Sequence, residues 1–354
     1  MNRVWAYRIG GGVFIFILLV ISVFWMQLQS FGEEKLNLGA EPVSEYLIPP
    51  GTGLIRVAND LEKKGIISSA AKLRWLARFT GNIDGIKVGE YDLSPELTVN
   101  ELLANMAEGK VKQYTLTLVE GWNFNQFIEA VLSHEKIEKT LPNGDQETVM
   151  AAIGHPGEHP EGRFLPDTYH FPIGTTDVNF LKRAYQAMES ALEKEWQARN
   201  TADILPYEDA YQALIMASIV EKETAVPEER EQIAGVFVRR IQKRMRLQTD
   251  PTVIYGMGDK YKGNIRKSDL TEDTPYNTYT RRGLPPTPIA MPGREAIRAA
   301  LNPEEGDALY FVAKGDGSHH FSATNEEHIR AVQKYQIRKR RQDYRSTPTR
   351  LSGS

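Results

Sequence analysis

Apolar residues fall along this chain in three patterns, and each pattern predicts a different kind of element. The first is an unbroken run near the start. No charged residue stands between Arg8 and Glu33, and residues 13–21 contain no polar side chain. The run continues through Phe24, Trp25 and Met26. A helix needs roughly 20 mostly apolar residues to cross a bilayer, and this stretch supplies them. Arg3 and Arg8 precede it, and Glu33 and Glu34 follow it. The positive-inside bias therefore keeps the N-terminus in the cytoplasm and puts the rest outside, with Trp25 and Phe31 at the far interface. A cleaved signal would end in small residues, whereas residues 25–29 are bulky. No polar stripe marks the run as a soluble core helix. Residues 1–32 are expected to be the cytoplasmic N-terminus and transmembrane anchor, and residues 33–45 a polar spacer.

The second pattern is a repeat. After Gly51, apolar residues stand at Leu54, Val57, Ala58 and Leu61. After Gly121 they stand at Phe124, Phe127, Ile128 and Val131, at the same four offsets. Each unit reads as strand, glycine turn and amphipathic helix. Between them, Tyr91-Asp92-Leu93 reads as a strand. Thr98 and Glu101 form a capping box that opens a third helix, ending near Gly109. Small strand–helix units of this kind resemble LysM-type glycan-binding modules, although many structural α+β domains share the pattern. Residues 46–135 are expected to form this small α+β domain.

The third pattern is helical, beyond residue 176. Residues 136–176 are rich in Pro, Gly and His and read as mostly irregular. Long helical patterns follow, from 177 to 205, from Pro206 to Ala225 and from Pro227 to Met245. Short strands come after them, such as residues 308–313. The expected fold class is α+β: one transmembrane helix, the small LysM-like domain, and a larger mixed α/β domain over residues 136–335. Residues 336–354 read as a basic, disordered tail.

Composition narrows the chemistry. Of 354 residues, 41% are hydrophobic and 25% charged, with a net charge of −3. That balance gives no support for a nucleic-acid binder. There are no cysteines, which excludes disulfides, zinc–thiolate sites and thiol nucleophiles. Of the seven histidines, His155 and His159 are four apart, but Pro156 and Gly157 between them keep them from sharing a helix face, and the cluster of His319, His320 and His328 has no acidic pair at metal spacing, so no metal is expected. P-loop, dinucleotide and nucleophile-elbow motifs are missing from the sequence.

The informative helix is the one from Tyr207 to Ala225. Its apolar stripe runs Ala210, Leu214, Ala217, and the same rhythm arrives next at Glu221. A carboxyl in line with a core-facing stripe loses water, which raises its pKa and suits it to general-acid work. Glu223 points about 200° around the helix from it. The alternative is a helix-end glutamate paired with Lys222, Arg230 or Arg239. Two loop segments also stand out. One holds Gln248 and Asp250, the other Tyr276, Asn277 and Tyr279. Amides, hydroxyls and aromatic faces suit sugar binding, and equally suit turn closure.

These segments together resemble one family. Residues 217–224 (Ala-Ser-Ile-Val-Glu-Lys-Glu-Thr) and residues 247–256 (Leu-Gln-Thr-Asp-Pro-Thr-Val-Ile-Tyr-Gly) look like its signature. Tyr276-Asn277-Thr278-Tyr279, Gly283-Leu284-Pro285-Pro286 and Ile289-Ala290-Met291-Pro292-Gly293 continue it. Glu161-Gly162 with residues 164–169 upstream, and His319, Phe321, Thr324 and His328 downstream, also fit. The chain is similar, over nearly its whole length, to the endolytic murein transglycosylases called MltG or YceG-like. The resemblance implies a single-pass inner-membrane lytic transglycosylase with a periplasmic catalytic domain. It implies cleavage of MurNAc–GlcNAc bonds inside nascent peptidoglycan, leaving 1,6-anhydroMurNAc ends and terminating strand elongation. The family's catalytic glutamate falls on Glu221. Gln248, Asp250, Tyr276, Asn277 and Tyr279 are then expected to hold sugar, with no metal and no cofactor. Class A penicillin-binding synthases and other elongation or division proteins are the implied partners. Two other readings stay open: a non-catalytic wall-binding scaffold, and a two-carboxylate muramidase with Asp250 as second carboxylate.

Overall fold

The computed structural model describes residues 3–39, 44–81, 85–199 and 205–338, with side chains from residue 12 onward. Two compact units emerge. The first comprises Met1–Tyr114 with His170–Gly174, the second Thr115–Tyr169 with the chain from Thr175.

The first unit opens with α1 (Arg3–Gly32), whose segment Gly12–Gly32 is long and apolar enough to cross a membrane. Residues 13–21 of α1 are exposed, although no polar side chain interrupts their apolar run. The helix does not end at the unit's edge. Leu28 and Phe31 are buried with Leu73, Leu76 and Leu102. Phe31, expected at a membrane interface, is 0% exposed inside this core. Residues 33–39, expected as a spacer, are packed too. Leu36 N–H donates to the Leu97 carbonyl and Asn37 N–H to the Ile66 carbonyl, and Leu36 and Leu38 are buried. Alternating Leu and polar residues there make a packed segment rather than a linker. Most of residues 40–45 lie outside the described chain.

Strand β1 (Glu45–Ile48) pairs antiparallel with β2 (Gly89–Asp92), Tyr46 facing Tyr91. Helices α2 (Leu54–Lys63), α3 (Ala70–Phe79) and α4 (Val99–Glu108) complete the unit. The helix after Gly51 buries Val57, Ala58 and Leu61, as their spacing requires. Gly51 itself has φ 73°, a left-handed turn open to glycine at no steric cost. The Thr98–Glu101 capping box opens α4.

The second strand–helix unit packs elsewhere. Strand β3 (Tyr114–Thr117) leads to α5 (Phe124–Ser133), whose Phe124 and Phe127 rings lie 6.0 and 5.3 Å from Phe164. Those contacts tie α5 to the second compact unit rather than to the one ending at Tyr114. The segment 136–176 is less irregular than its Pro and Gly content suggests. It contains α6 (Gln146–Ile153), capped by Asp145, and β4 (Thr168–Phe171), which pairs with β3.

The centre of the second unit is α8 (Ala210–Glu223). Around it pack α7 (Asp177–Ala198), α9 (Arg230–Gln242), α10 (Asp250–Met257) and α11 (Arg294–Leu301). The long helix begins at its Thr176 cap and the central one at its Asp209 cap. Strands β5 (Tyr310–Ala313) and β6 (His319–Ser322) form an antiparallel ribbon, followed by α12 (Asn325–Val332). The expected mixed α/β layer is thus a helical body with two-stranded ribbons among the described residues. Most of the basic tail lies outside them.

Candidate active site

From Ala213 to Val220 every residue of α8 is buried, so this helix has no polar face until its last turn. The stripe through Ala210, Leu214 and Ala217 is therefore one part of a helix buried all round. Three charged residues end it: Glu221, Lys222 and Glu223. Glu221 is half-buried. Burial pushes its carboxyl above the usual range, and the nearby Glu120 carboxylate pushes the same way. Glu223, expected to point away from the core, is desolvated as well. Burial raises it to about 7, against the opposing hydrogen bond from Thr249 Oγ1. Glu221 and Glu223 are both desolvated, while Lys222 between them is exposed.

Glu221 is held by a loop delivered to it from two sides. Ser218, one turn earlier, is buried and accepts Ile289 N–H through its Oγ at 3.0 Å. Met291 N–H donates to the Trp122 carbonyl at 2.7 Å, and Gly121 N–H donates to the Met291 carbonyl at 2.9 Å. These three bonds fix residues 289–293. Gly293 N–H then donates to Glu221 Oε2 at 3.1 Å. A Cβ on Gly293 would lie 1.8 Å from Glu120 Oε1. One glycine thus orients Glu221 with its amide and admits Glu120 with its bare α-carbon. Arg230 lies 3.8 Å from Glu120 Oε2, and its own Nε has no partner among the described residues. Lys222 turns outward and donates to the Gly121 carbonyl at 3.1 Å.

Two cavities flank this turn and share Lys222, Pro251 and Ile254 in their walls. One, about 620 Å³, is lined by Asn123, Gln126, Glu161 and Tyr255. Glu161 is 2% exposed, and burial pushes it up to about 7. It accepts Phe124 N–H on both oxygens (3.1 and 3.2 Å) and the Tyr255 hydroxyl at 3.0 Å. The other cavity, about 670 Å³, is lined by Glu223, Arg240, Gln248, Asp250, Tyr279 and His319. Tyr279 Oη donates to Asp250 Oδ1 at 2.6 Å. Gln248 has φ 53°, which turns the chain just ahead of α10. His319 Nδ1 lies 2.7 Å from Glu229 Oε2, and His319 N–H donates to Oε1 of the same carboxylate.

Of the five residues expected to hold sugar, then, Gln248, Asp250 and Tyr279 line one cavity together. Tyr276 and Asn277 do not line either cavity. The Tyr276 hydroxyl is 2.9 Å from Thr287 Oγ1, and its ring packs edge-on against Tyr255. Asn277 is 1% exposed. Its amide donates to the Asp269 and Glu272 carbonyls and its Oδ1 accepts Tyr279 N–H. These two side chains close the loop that presents Tyr279.

The arrangement has clear chemical capacity. A carboxyl whose pKa burial raises, with one oxygen aimed by a backbone N–H, is suited to give a proton and take one back.

A model of one protein family matches residues 46–334. The chain belongs to the YceG-like family. Among its relatives, the endolytic murein transglycosylase of Bacillus subtilis (strain 168) is 31% identical over 308 residues, covering 81% of this chain and 83% of that one. The endolytic murein transglycosylase of Streptococcus pneumoniae serotype 2 (strain D39) is 27% identical over 321 residues. The match covers 80% of this chain and 57% of that longer protein. A crystal structure of a YceG-like protein from Listeria monocytogenes is 30% identical, with a TM-score of 0.51, covering 81% of this chain and 98% of that one.

The YceG-like sequence hides part of its own site. Glu120 reads as a turn residue before Gly121, and Glu161 as one letter of a motif. Nothing in local periodicity brings them near Glu221, from which they are separated by 101 and 60 residues. Glu-Gly does not single them out, since the same dipeptide occurs at 108–109 and 305–306, also with a positive-φ glycine.

Proposed function

We infer that this chain is an endolytic murein transglycosylase acting on peptidoglycan, with Glu221 as its acid and base. The observation carrying the residue assignment is the Gly293 N–H bond to a half-buried Glu221 whose pKa burial and the Glu120 charge both raise. The family match and the names of the relatives support the reaction class.

Glu221 gives its proton to the glycosidic oxygen between MurNAc and GlcNAc. The bond breaks with positive charge developing at MurNAc C1. The same sugar's C6 hydroxyl attacks C1, and the Glu221 carboxylate takes up that hydroxyl proton. The product is a 1,6-anhydro end, and water is not consumed. Intramolecular attack draws on fixed geometry rather than on a second carboxylate. Gln248, Asp250 and Tyr279 line a cavity with Lys222 and Glu223, the two residues that follow Glu221 on α8, and their side chains suit sugar hydroxyls and a pyranose face.

The wider assignment keeps α1 as a single membrane span with a cytoplasmic N-terminus and a periplasmic enzyme, a LysM-like domain over residues 46–135, and class A penicillin-binding synthases and other elongation or division proteins as partners. The apolar Gly12–Gly32 segment and the flanking charges support the span.

The test is incubation of full-length protein in detergent with purified glycan strands, followed by mass spectrometry of the new ends. Wild type yields 1,6-anhydro ends, and Glu221→Gln lowers their rate by about 10²–10⁴-fold. Hydrated reducing ends from wild type would establish a hydrolase instead. Unchanged cleavage by Glu221→Gln would remove the assignment of this residue.

A further inference from the structure

Four aromatic rings meet on the surface of the first unit where α1 leaves its exposed stretch. Phe24 packs edge-on against Trp75 at 5.9 Å, and Trp25 against Phe79 at 5.3 Å. Trp75 and Phe79 stack on one another one turn apart on α3. These rings do not form a core: Trp25, Trp75 and Phe79 are 45, 47 and 51% exposed. Arg74 and Arg78 are exposed on the same helix, the Arg78 guanidinium lying 5.9 Å from the Trp75 ring. Leu73, Leu76 and Ala77 are buried on the opposite side of α3.

The height of this cluster follows from the continuity of α1. The helix passes without a break from its exposed apolar stretch into the unit's core at Leu28 and Phe31. The unit is therefore fixed rigidly to the end of the span. Phe24 lies 16 residues beyond Arg8, or about 24 Å at 1.5 Å per residue. The hydrocarbon of a bilayer is about 30 Å thick. Rings in van der Waals contact with Phe24 and Trp25 thus lie at the boundary between acyl chains and headgroups. Tryptophan, phenylalanine and arginine together suit that boundary: the rings bury, and guanidinium groups bond lipid phosphate. A cleft of about 610 Å³ opens beside the rings, its apolar wall including Leu28, Leu76 and Phe79 and its polar rim including Glu33, Thr80 and Asn100. The apolar wall matches an acyl chain.

We propose that α3 is an interfacial helix, inserting Trp75 and Phe79 into the phospholipid leaflet on the C-terminal side of α1. This rests on the reading of α1 as a membrane span. The first unit is then seated in the leaflet through two elements, which restricts its tilt. A single span alone leaves such a domain free to pivot.

The native chain contains no cysteine, so single labels are simple to place. The full chain is reconstituted in nanodiscs of phosphatidylethanolamine and phosphatidylglycerol. Spin labels are attached at Phe79→Cys, at Leu19→Cys as the bilayer reference and at Lys110→Cys as the aqueous reference. Collision with oxygen and with a water-soluble nickel chelate reports depth. The expected result puts position 79 about 5–10 Å into the headgroup–acyl boundary, its oxygen-to-chelate ratio several-fold above that at 110. Water-like values at 79 with Leu19→Cys deep overturn the proposal and leave the span intact. Water-like values at both positions overturn the span and the proposal with it. Quenching by bromine-bearing acyl chains gives a label-free second reading. Trp75→Phe reduces the quenched fraction if Trp75 is inserted, and leaves it unchanged if the proposal is wrong.

Discussion

Gly293 is the residue on which the geometry around Glu221 turns. Its φ of −75° is ordinary, so its absence of a side chain, not its backbone freedom, is what the site uses. Gly293→Ala puts a methyl group into the Glu120 carboxylate, and that part-exposed side chain must swing away. With the Glu120 charge displaced, Glu221 ionises more readily. We expect anhydro-end formation to fall at neutral pH, measured as kcat with the helical circular dichroism unchanged. Glu120 makes ionisation of Glu221 harder through its negative charge, second only to burial. Replacing it by glutamine removes that charge, so the folded-state pKa of Glu221 falls. The acid form is then lost at lower pH. The alkaline limb of the kcat/KM profile for Glu120→Gln is expected to move to lower pH. A profile that keeps its alkaline limb while losing height would show that Glu120 acts through packing rather than charge.

At the scale of elements, the last turn of α8 was half legible. The rhythm Ala210, Leu214, Ala217 arrives at Glu221, and the helix buries that rhythm. The same reasoning put Glu223 about 200° around the helix from Glu221, off the buried stripe, because a helical wheel knows one partner face and α8 packs against several helices. The strand–turn–helix offsets after Gly51 and Gly121 were legible because backbone turns and i, i+3, i+4 burial are local. Which unit each helix joins was not, since that depends on Phe124 and Phe127 finding Phe164. Asn277 and Tyr276 looked like sugar ligands for the reason that makes them good loop closers: both roles use amides and hydroxyls. Glu161 joins two elements, capping α5 at Phe124 and accepting Tyr255 from α10. Its folded pKa is raised from 4.5 to about 7. Between those values the folded chain holds a proton that the unfolded chain has released, so stability falls as pH rises through that window. Glu161→Gln is expected to flatten the decline in melting temperature over the same window. An unaltered pH slope would assign the decline to other groups, Glu223 among them.

At the scale of the whole molecule, the entry of α1 into the first unit's core decides how the chain can be cut. A soluble fragment is naturally begun at Glu33, just past the apolar helix, on the view that residues 33–45 are a linker. The structure argues otherwise. Leu28 and Phe31 are 2% and 0% exposed, packed with the inner faces of α3 and α4. Burying such a side chain contributes about 1.5–3 kcal/mol, so removing both costs the unit about 3–6 kcal/mol. That is a large share of the 5–15 kcal/mol that holds an ordinary domain together. A fragment from Glu33 is therefore expected to open α3 and α4 far more often than one from Gln27, which retains the last turn and a half of α1. Hydrogen exchange of the Leu73, Leu76 and Leu102 amides measures this directly. It should be faster by about two to four powers of ten in the shorter fragment, as 3–6 kcal/mol converts at about 1.4 kcal/mol per tenfold. Equal exchange in the two fragments would mean that the end of α1 only leans on the unit. An apparent loss of glycan binding in a fragment begun at Glu33 would then reflect the site itself, whereas rapid exchange would trace it to an opened core.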